Sequence, residues 1–304
     1  MYSEYNVPLP PRTFHDCLYQ GAIMLFRETP AMQALVNFTR TFLEDAFYPY
    51  SPPEIHLHLG HADTADFCAH REREFSQSRE VRQLWRTVFE YVGLDPTLTA
   101  RDRLHLRFQA HEDPGSRLPR TRTTATIAFH RDTWGSNLYA QINWWAPVYP
   151  ISSGRTFAMY PTLWKTSLQN SSSSFDMAAV LERSKTGGRN SVDADQAIPH
   201  LLEDVDPTLG TPVVIEPGSM VAFSGAHAHA GIPNHTGVTR ISLETRTLWI
   251  PDVQLGQGAP NVDGYAPWAT PGLFRRVSDS KPLNEILALK KLEPFVGPLT
   301  AKVA

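Results

Sequence analysis

The sequence predicts a mainly β protein, an antiparallel barrel or jelly roll behind a helical N-terminal layer. Three observations predict it. Apolar residues follow a 3.6-residue period over much of the first hundred positions, and from Arg103 the period changes to two. Beyond that point short strand-like segments alternate with turn-rich stretches such as Ser152-Ser153-Gly154 and Pro217-Gly218, the pattern of an all-β core.

Each element follows from its local pattern. From Pro30, the residues Met32, Leu35, Val36, Phe42, Leu43, Ala46 and Phe47 recur at helical spacing. Pro30 suits a first helical turn, and Pro49 with Pro52 and Pro53 closes the segment. A second amphipathic run carries Val81, Leu84, Trp85, Val88, Phe89 and Val92 on one face, and Gly93 ends it. Between the two lie His56, His58, His61, Cys68 and His70. Their spacing fits no closed zinc pattern, and they read as exposed loop histidines. Leu104, Leu106 and Phe108 alternate with His105 and Arg107 and open the β part. Further strand-like segments fall at 123–129, 139–148, 156–160, 212–215, 219–223 and 238–250.

The organisation expected is one domain overall. Residues 1–100 form a helical region packed on the barrel, and 101–250 form the core. Within the core, 165–211 read as a long insertion, a lid or a disordered segment. Residues 251–304 form a C-terminal extension with one helix near 283–292.

Composition sets the class. The chain has 304 residues, 41% of them hydrophobic, which allows a sizeable core. A net charge of −3 with dispersed charges excludes a nucleic-acid or membrane surface as the working expectation. The one local exception is the basic cluster between Arg101 and Arg122, which reads as a solvated face or as the contact for an anionic substrate. Two cysteines, Cys17 and Cys68, form no CxxC pair and fit a reducing compartment. No basic stretch followed by an apolar one opens the chain, so a cytoplasmic location is expected.

The chemistry starts at His130-Arg131-Asp132, which ends a strand-like segment. Residues at i and i+2 of an extended backbone project to one side, so both ligands can reach one metal while Arg131 faces away. Imidazole with one carboxylate suits Fe(II), and a second imidazole completes a facial triad that leaves three positions open. The segment 223–234 offers His227 and His229, which share strand parity, and His235 follows it. Further along, Arg240, Ser242 and Arg246 share strand parity with one another. In 141–145, Gln141, Asn143 and Trp145 share a face. The two amides there either donate to a bound co-substrate or satisfy neighbouring backbone. Trp134, Trp144 and Trp145 are candidates for the pocket wall or for core.

Residues 123–250 resemble the phytanoyl-CoA dioxygenase branch of the Fe(II)/2-oxoglutarate oxygenases. The resemblance rests on His229-Ala230-Gly231-Ile232-Pro233-Asn234, followed by Arg240 eleven residues after the histidine. It departs at 154–161, where Gly154-Arg155-Thr156-Phe157 replaces the family's glycine followed by Pro-Gly-Ser-His. The resemblance implies a double-stranded β-helix, Fe(II), 2-oxoglutarate and dioxygen, with His130, Asp132 and His229 as metal ligands. It further implies that Arg240 forks onto the distal carboxylate of 2-oxoglutarate, with Ser242 beside it. Arg246 is the next arginine on that face and, with Trp134 and Trp145, a candidate for the substrate pocket. The outcome implied is hydroxylation of a small polar metabolite in a biosynthetic pathway, with desaturation, cyclisation or epimerisation as alternatives on the same cofactors. Asp132 argues against a halogenase, which carries a small residue there. A cupin-type metal-binding barrel or sugar isomerase is the reading from another class, and a non-catalytic lectin-like jelly roll is a third.

Overall fold

The computed structural model describes residues 2–5, 8–112, 124–187 and 197–294. The N-terminal part runs β1 (Ser3–Glu4), α1 (Pro11–Tyr19), β2 (Ile23–Phe26), α2 (Pro30–Phe47), α3 (His61–Gln77) and α4 (Arg79–Tyr91). Strands β3 (Thr99–Arg101) and β4 (His105–Gln109) follow, then the short α5 (Thr133–Ser136), β5 (Ile142–Pro147), β6 (Phe157–Met159) and α6 (Met177–Gly187). The chain continues through β7 (Thr211–Pro212), β8 (Met220–Ser224), β9 (His229–Gly231) and β10 (Arg240–Trp249).

The main sheet is ordered β1-β2-β8-β5-β10-β3, with the strand Arg275–Arg276 at its far edge and β4 pairing β10 ahead of β3. Among the described strands, only β1 and β2 run parallel. A second sheet, β7-β6-β9, is lengthened by an antiparallel bridge between His229 and His130. Side chains of both sheets meet in one apolar core that includes Leu25, Trp145, Phe157, Met159, Val221 and Phe223. The opposite face of the main sheet is covered by α1, α2 and α4, where Phe14 stacks on Trp144 at 5.8 Å.

This double cover explains why every residue of β5 is buried. Ile142, Trp144 and Ala146 point to the helical side, while Trp145 points to the second sheet. Asn143, on the same side as Trp145, is left to face the space between the sheets. The helices hold their layer through apolar faces and clean starts. Thr29 caps α2 by accepting from the Met32 amide, and Ser78 caps α4 by accepting from the Val81 amide.

Several elements differ from the sequence reading. The first hundred residues are not wholly helical, because β2 joins the main sheet on β8. Its four residues are all buried, so no alternation marks it as a strand. Of the early histidines, His61 opens α3 and His70 lies within it, whereas His56 falls in the 3-10 turn Pro52–Leu57 and His58 directly follows that turn. The buried face of α3 includes Glu72 among Ala65, Cys68 and Phe75 and therefore shows a weak apolar stripe. Residues 124–129 form no strand, and position 123 lies outside the described residues. The helix expected near 283–292 is the short segment Leu283–Ile286. Of the 165–211 insertion, the described residues carry α6 and short 3-10 turns, and 188–196 lie outside them. The basic residues Arg117, Arg120 and Arg122 also lie outside them. Among the described residues, no helix is long and apolar enough to cross a membrane.

Candidate metal centre

The site is built where the second sheet meets the main one. His130 and His229 face each other across their bridge, each amide donating 3.0 Å to the other's carbonyl. The ring centroids lie 4.3 Å apart. His130 Nδ1 sits 2.9 Å from the Ala128 carbonyl, and His229 Nδ1 sits 3.0 Å from the His227 carbonyl. A carbonyl only accepts, so each Nδ1 carries the proton, which leaves both Nε2 lone pairs free. Those two Nε2 atoms face one carboxylate, with His130 3.9 Å from Asp132 Oδ1 and His229 4.0 Å from Asp132 Oδ2. One ligand atom from each of the three residues lies within 4.8 Å of the others.

Asp132 does not reach the site from an extended strand. Its backbone is αR, with φ −61 and ψ −32, at the N-cap position of α5. The strand geometry ends at His130, and the turn into α5 swings the carboxylate toward the imidazoles. Arg131 points the other way. Its guanidinium donates to the carbonyls of Ala226, Leu163 and Thr166 and lies 3.1 Å from Asp263. Gly225 makes room for this turn, because a Cβ there would come within 2.9 Å of Gln141 Nε2 and 3.4 Å of Asp132 Cβ.

Two residues hold the Asp132 carboxylate from the main sheet. Asn143 Nδ2 donates to Oδ2, and Arg246 Nη2 lies 3.1 Å from Oδ1. Asn143 on β5 and Arg246 on β10 are direct cross-strand partners, so register delivers both to the same point. Arg246 Nη1 in turn donates to Asp102 Oδ2 at 2.9 Å. Burial alone would raise the Asp132 carboxyl, but the Arg246 guanidinium, helped by the Asn143 amide, outweighs it and holds the group well below the usual carboxylate range. Burial, reinforced by His229, pushes the His130 imidazole down to about 3, so it is neutral and able to ligate.

At the other end of the same cavity lies Arg240, with Trp145, Phe157 and Phe223 as apolar walls. Arg240 is buried, and its Nε and Nη1 have no hydrogen-bond partner. Burial pushes its guanidinium down to about 10, with Arg107 adding to the effect and Glu244 opposing it. A buried cation with unsatisfied donors is costly to maintain, and a carboxylate of a bound molecule satisfies it.

The structure therefore brings together His130, Asp132, His229, Arg240, Asn143, Trp145 and Arg246 around one cavity. It places the other predicted residues differently. Gln141 stands behind Asn143, donating 3.0 Å to its Oδ1, and does not line the cavity. Asn143 itself is spent on Asp132. Ser242 is fully buried, and its hydroxyl donates 3.2 Å to Glu244. Trp134 is no pocket wall, since its ring is sealed inside the protein with its N–H on Asp263 at 2.7 Å. His227 points away from the metal ligands, with Nε2 on the Gly21 carbonyl at 3.1 Å and its ring against Trp164. His235 is exposed and bonds the Glu112 carbonyl. Among the early histidines, His56 pairs with Thr239, and His58 stacks on Tyr50 at 3.8 Å.

Among the wall and support residues that sequence reasoning missed are Asp102, His105 and Glu244, besides the apolar walls Phe157 and Phe223. Glu244 shares parity with Arg240 and Arg246, and His105 alternates with the apolar residues of β4, so both were readable. Asp102 carries no local signal, because its role comes from pairing with a strand 144 positions away.

No protein-family model matches the chain, and no curated protein matches it by sequence. Among solved structures it is similar to EvdO2 from Micromonospora carbonacea var. aurantiaca, at 12% identity and TM-score 0.46 over 81% of this chain and 94% of that one. It is also similar to ThoJ, described as a non-heme monooxygenase, at 11% identity and TM-score 0.42 over 93% and 89%. A third is SnoN, described as a non-heme alpha ketoglutarate dependent epimerase from nogalamycin biosynthesis, at 10% identity and TM-score 0.38 over 78% and 82%.

Proposed function

We propose that the protein is an Fe(II)- and 2-oxoglutarate-dependent oxygenase on a double-stranded β-helix, of the phytanoyl-CoA dioxygenase-like branch, acting on a small polar metabolite. One observation carries this reading: the His130–Asp132–His229 cluster shares a buried cavity with the unpartnered guanidinium of Arg240. A metal-binding barrel without oxygenase chemistry has no use for a buried arginine with orphaned donors beside its ligands.

The donor set fits Fe(II). Two imidazoles and one carboxylate form a facial triad with open positions for other ligands. Arg240 fits the distal carboxylate of 2-oxoglutarate, since a guanidinium matches a carboxylate with two parallel donors. Ser242 lies on the same strand face, buried outside the cavity lining with its hydroxyl on Glu244. Asn143, backed by Gln141, and Arg246 keep the Asp132 carboxylate turned toward the imidazoles. Trp145, Phe157 and Phe223 exclude water from the cavity. When bound, iron with 2-oxoglutarate and dioxygen supplies the oxidation of an unreactive C–H bond, while the protein supplies position and a dry environment. Hydroxylation is the outcome proposed, and product analysis separates it from desaturation, cyclisation and epimerisation.

The test is succinate release that requires Fe(II), 2-oxoglutarate and dioxygen together. Succinate formed only with all three supports the proposal. Protein that takes up iron but responds to 2-oxoglutarate neither in metal spectrum nor in turnover is a metal-binding barrel of another class.

A further inference from the structure

Next to the metal cavity, and sharing His105 and Arg246 with it as walls, opens a larger cleft of about 1050 Å³. It lies between α3, the outer strands of the main sheet, and α6, from which Leu181 and Ser184 face it. The charge on its walls is uneven. Among the described residues, the acids facing it are Asp66, Glu72 and Asp102. Two of these are already engaged. Asp102 is bound by Arg246 at 2.9 Å, while Glu72 lies 3.1 Å from His105 Nδ1 and 3.8 Å from Arg103 Nε. Arg101, Arg275 and Arg73 remain, with the exposed Asp66 as the one acid left among the described residues to set against them.

Arg101 and Arg275 are direct cross-strand partners at the sheet edge, so their side chains emerge on one face. Like charges directly opposite each other destabilise a sheet. The Asp102 carboxylate, already held by Arg246, opposes the charge of Arg101, while Arg82 of α4 adds a third positive charge near it. The pair donates to neutral backbone, Arg101 to the Asp102 carbonyl at 2.8 Å and Arg275 to the Ser280 carbonyl at 3.1 Å. These carbonyls orient the two guanidiniums without neutralising them. An oxyanion relieves such a pair by accepting from both. Arg101 lies opposite Thr247, the residue beside Arg246, so its side chain leaves the sheet on the face opposite to Arg246 and lines the shared cleft from the sheet edge.

We propose that this cleft is the substrate site and that the substrate is a small molecule carrying an oxyanion, a carboxylate or a phosphate, held by Arg101 and Arg275 with its reacting end toward His130, Asp132 and His229. The assignment of this site to substrate rests on the iron and 2-oxoglutarate reading of the neighbouring cavity. It also gives a use to Arg101, the first residue of the basic cluster.

Isothermal titration of inorganic phosphate, and separately of butyrate, at low ionic strength reads the subsite without turnover. The proteins compared are wild type, Arg275→Met, the double variant Arg101→Met/Arg275→Met, and Lys165→Met as an exposed cation outside the cleft. One of the two anions binds wild type and Lys165→Met alike, and the one that binds more tightly identifies the class. Affinity falls severalfold in Arg275→Met and at least tenfold in the double variant. Arg275 is exposed, so its single variant folds even if the double variant does not. No binding of either anion to wild type overturns the proposal. So does unchanged binding in both arginine variants, which would place the anion at Arg240 or elsewhere. The Fe(II)–2-oxoglutarate absorption is followed in parallel and stays intact in the arginine variants. Wild type that binds the anion but lacks that absorption overturns the oxygenase reading and leaves the anion subsite standing.

Discussion

Arg246 lies 3.1 Å from Asp132 with one Nη and 2.9 Å from Asp102 with the other, so one guanidinium bridges two carboxylates, one of which faces both imidazoles. In the metal-free chain this arginine supplies the positive charge that a metal ion would supply to Asp132. Burial works against its own charge, but Asp132 and Asp102 outweigh that and hold it firmly protonated.

Arg246→Met leaves two buried carboxylates without that cation. The metal-free variant is expected to lose on the order of 2 kcal/mol of stability, at the low end for a buried pair because the arginine side chain is partly exposed. A divalent ion then restores part of the missing charge. The rise in Tm on adding Mn(II) should therefore be larger in the variant than in wild type. Equal rises would show that Arg246 and the metal do not share Asp132.

The two histidines of Ala226-His227-Ala228-His229 have separate duties. His229→Ala should lose metal uptake almost completely, because it removes a ligand atom. His227→Ala should keep the metal and lose stability on the order of 2 kcal/mol, since it empties a buried site between Gly21 and Trp164. Metal content after dialysis, measured with thermal melts of both variants, decides this. Loss of metal in His227→Ala with retention in His229→Ala would move the site by one strand pleat.

Much of this was legible in the sequence, for identifiable reasons. His130, Asp132, His229 and Arg240 could be named because each lies in a short motif whose spacing survives folding. The helices at 30–47 and 79–91 could be named because one face of each is apolar. Trp134, which the sequence left as pocket wall or core, is core, because its indole N–H found Asp263, 129 residues away. Gln141 was misassigned because strand parity gives a side but not a depth. Strand β2 and the Asp102–Arg246 pair were invisible because they depend on partners about 197 and 144 positions distant, and no local pattern encodes those pairings.

Arg240→Met tests the price of an unpartnered cation. The metal-free variant should be as stable as wild type or more so, because a buried charge with orphaned donors is replaced by an apolar chain of similar length. In wild type, 2-oxoglutarate with Mn(II) should raise Tm beyond the metal alone, and in the variant that increment should vanish. A variant that keeps the full increment would assign the distal carboxylate to another residue.

Outside the site, His15 sets an acid limit. It is buried against Trp249, 4.9 Å between ring centroids, and burial pushes its imidazole down to about 4, although the Pro11 carbonyl and Asp252 pull the other way. The folded pKa lies below the unfolded value of about 6.5. Between those values the unfolded chain takes up a proton and the folded chain does not. Its contribution is thus intact above about pH 6.5 and declines toward pH 4, by on the order of 3 kcal/mol. Urea midpoints across that window should fall more steeply for wild type than for His15→Phe, and parallel slopes would remove His15 from the acid response.

The most direct measurement is an anaerobic titration of Fe(II) into the protein with 2-oxoglutarate present, following the charge-transfer absorption of the ferrous–2-oxoglutarate pair. The account predicts that the band appears in wild type, saturates at one iron per chain, and is absent in Asp132→Ala. No band in wild type, or a band of undiminished intensity in Asp132→Ala, would contradict it.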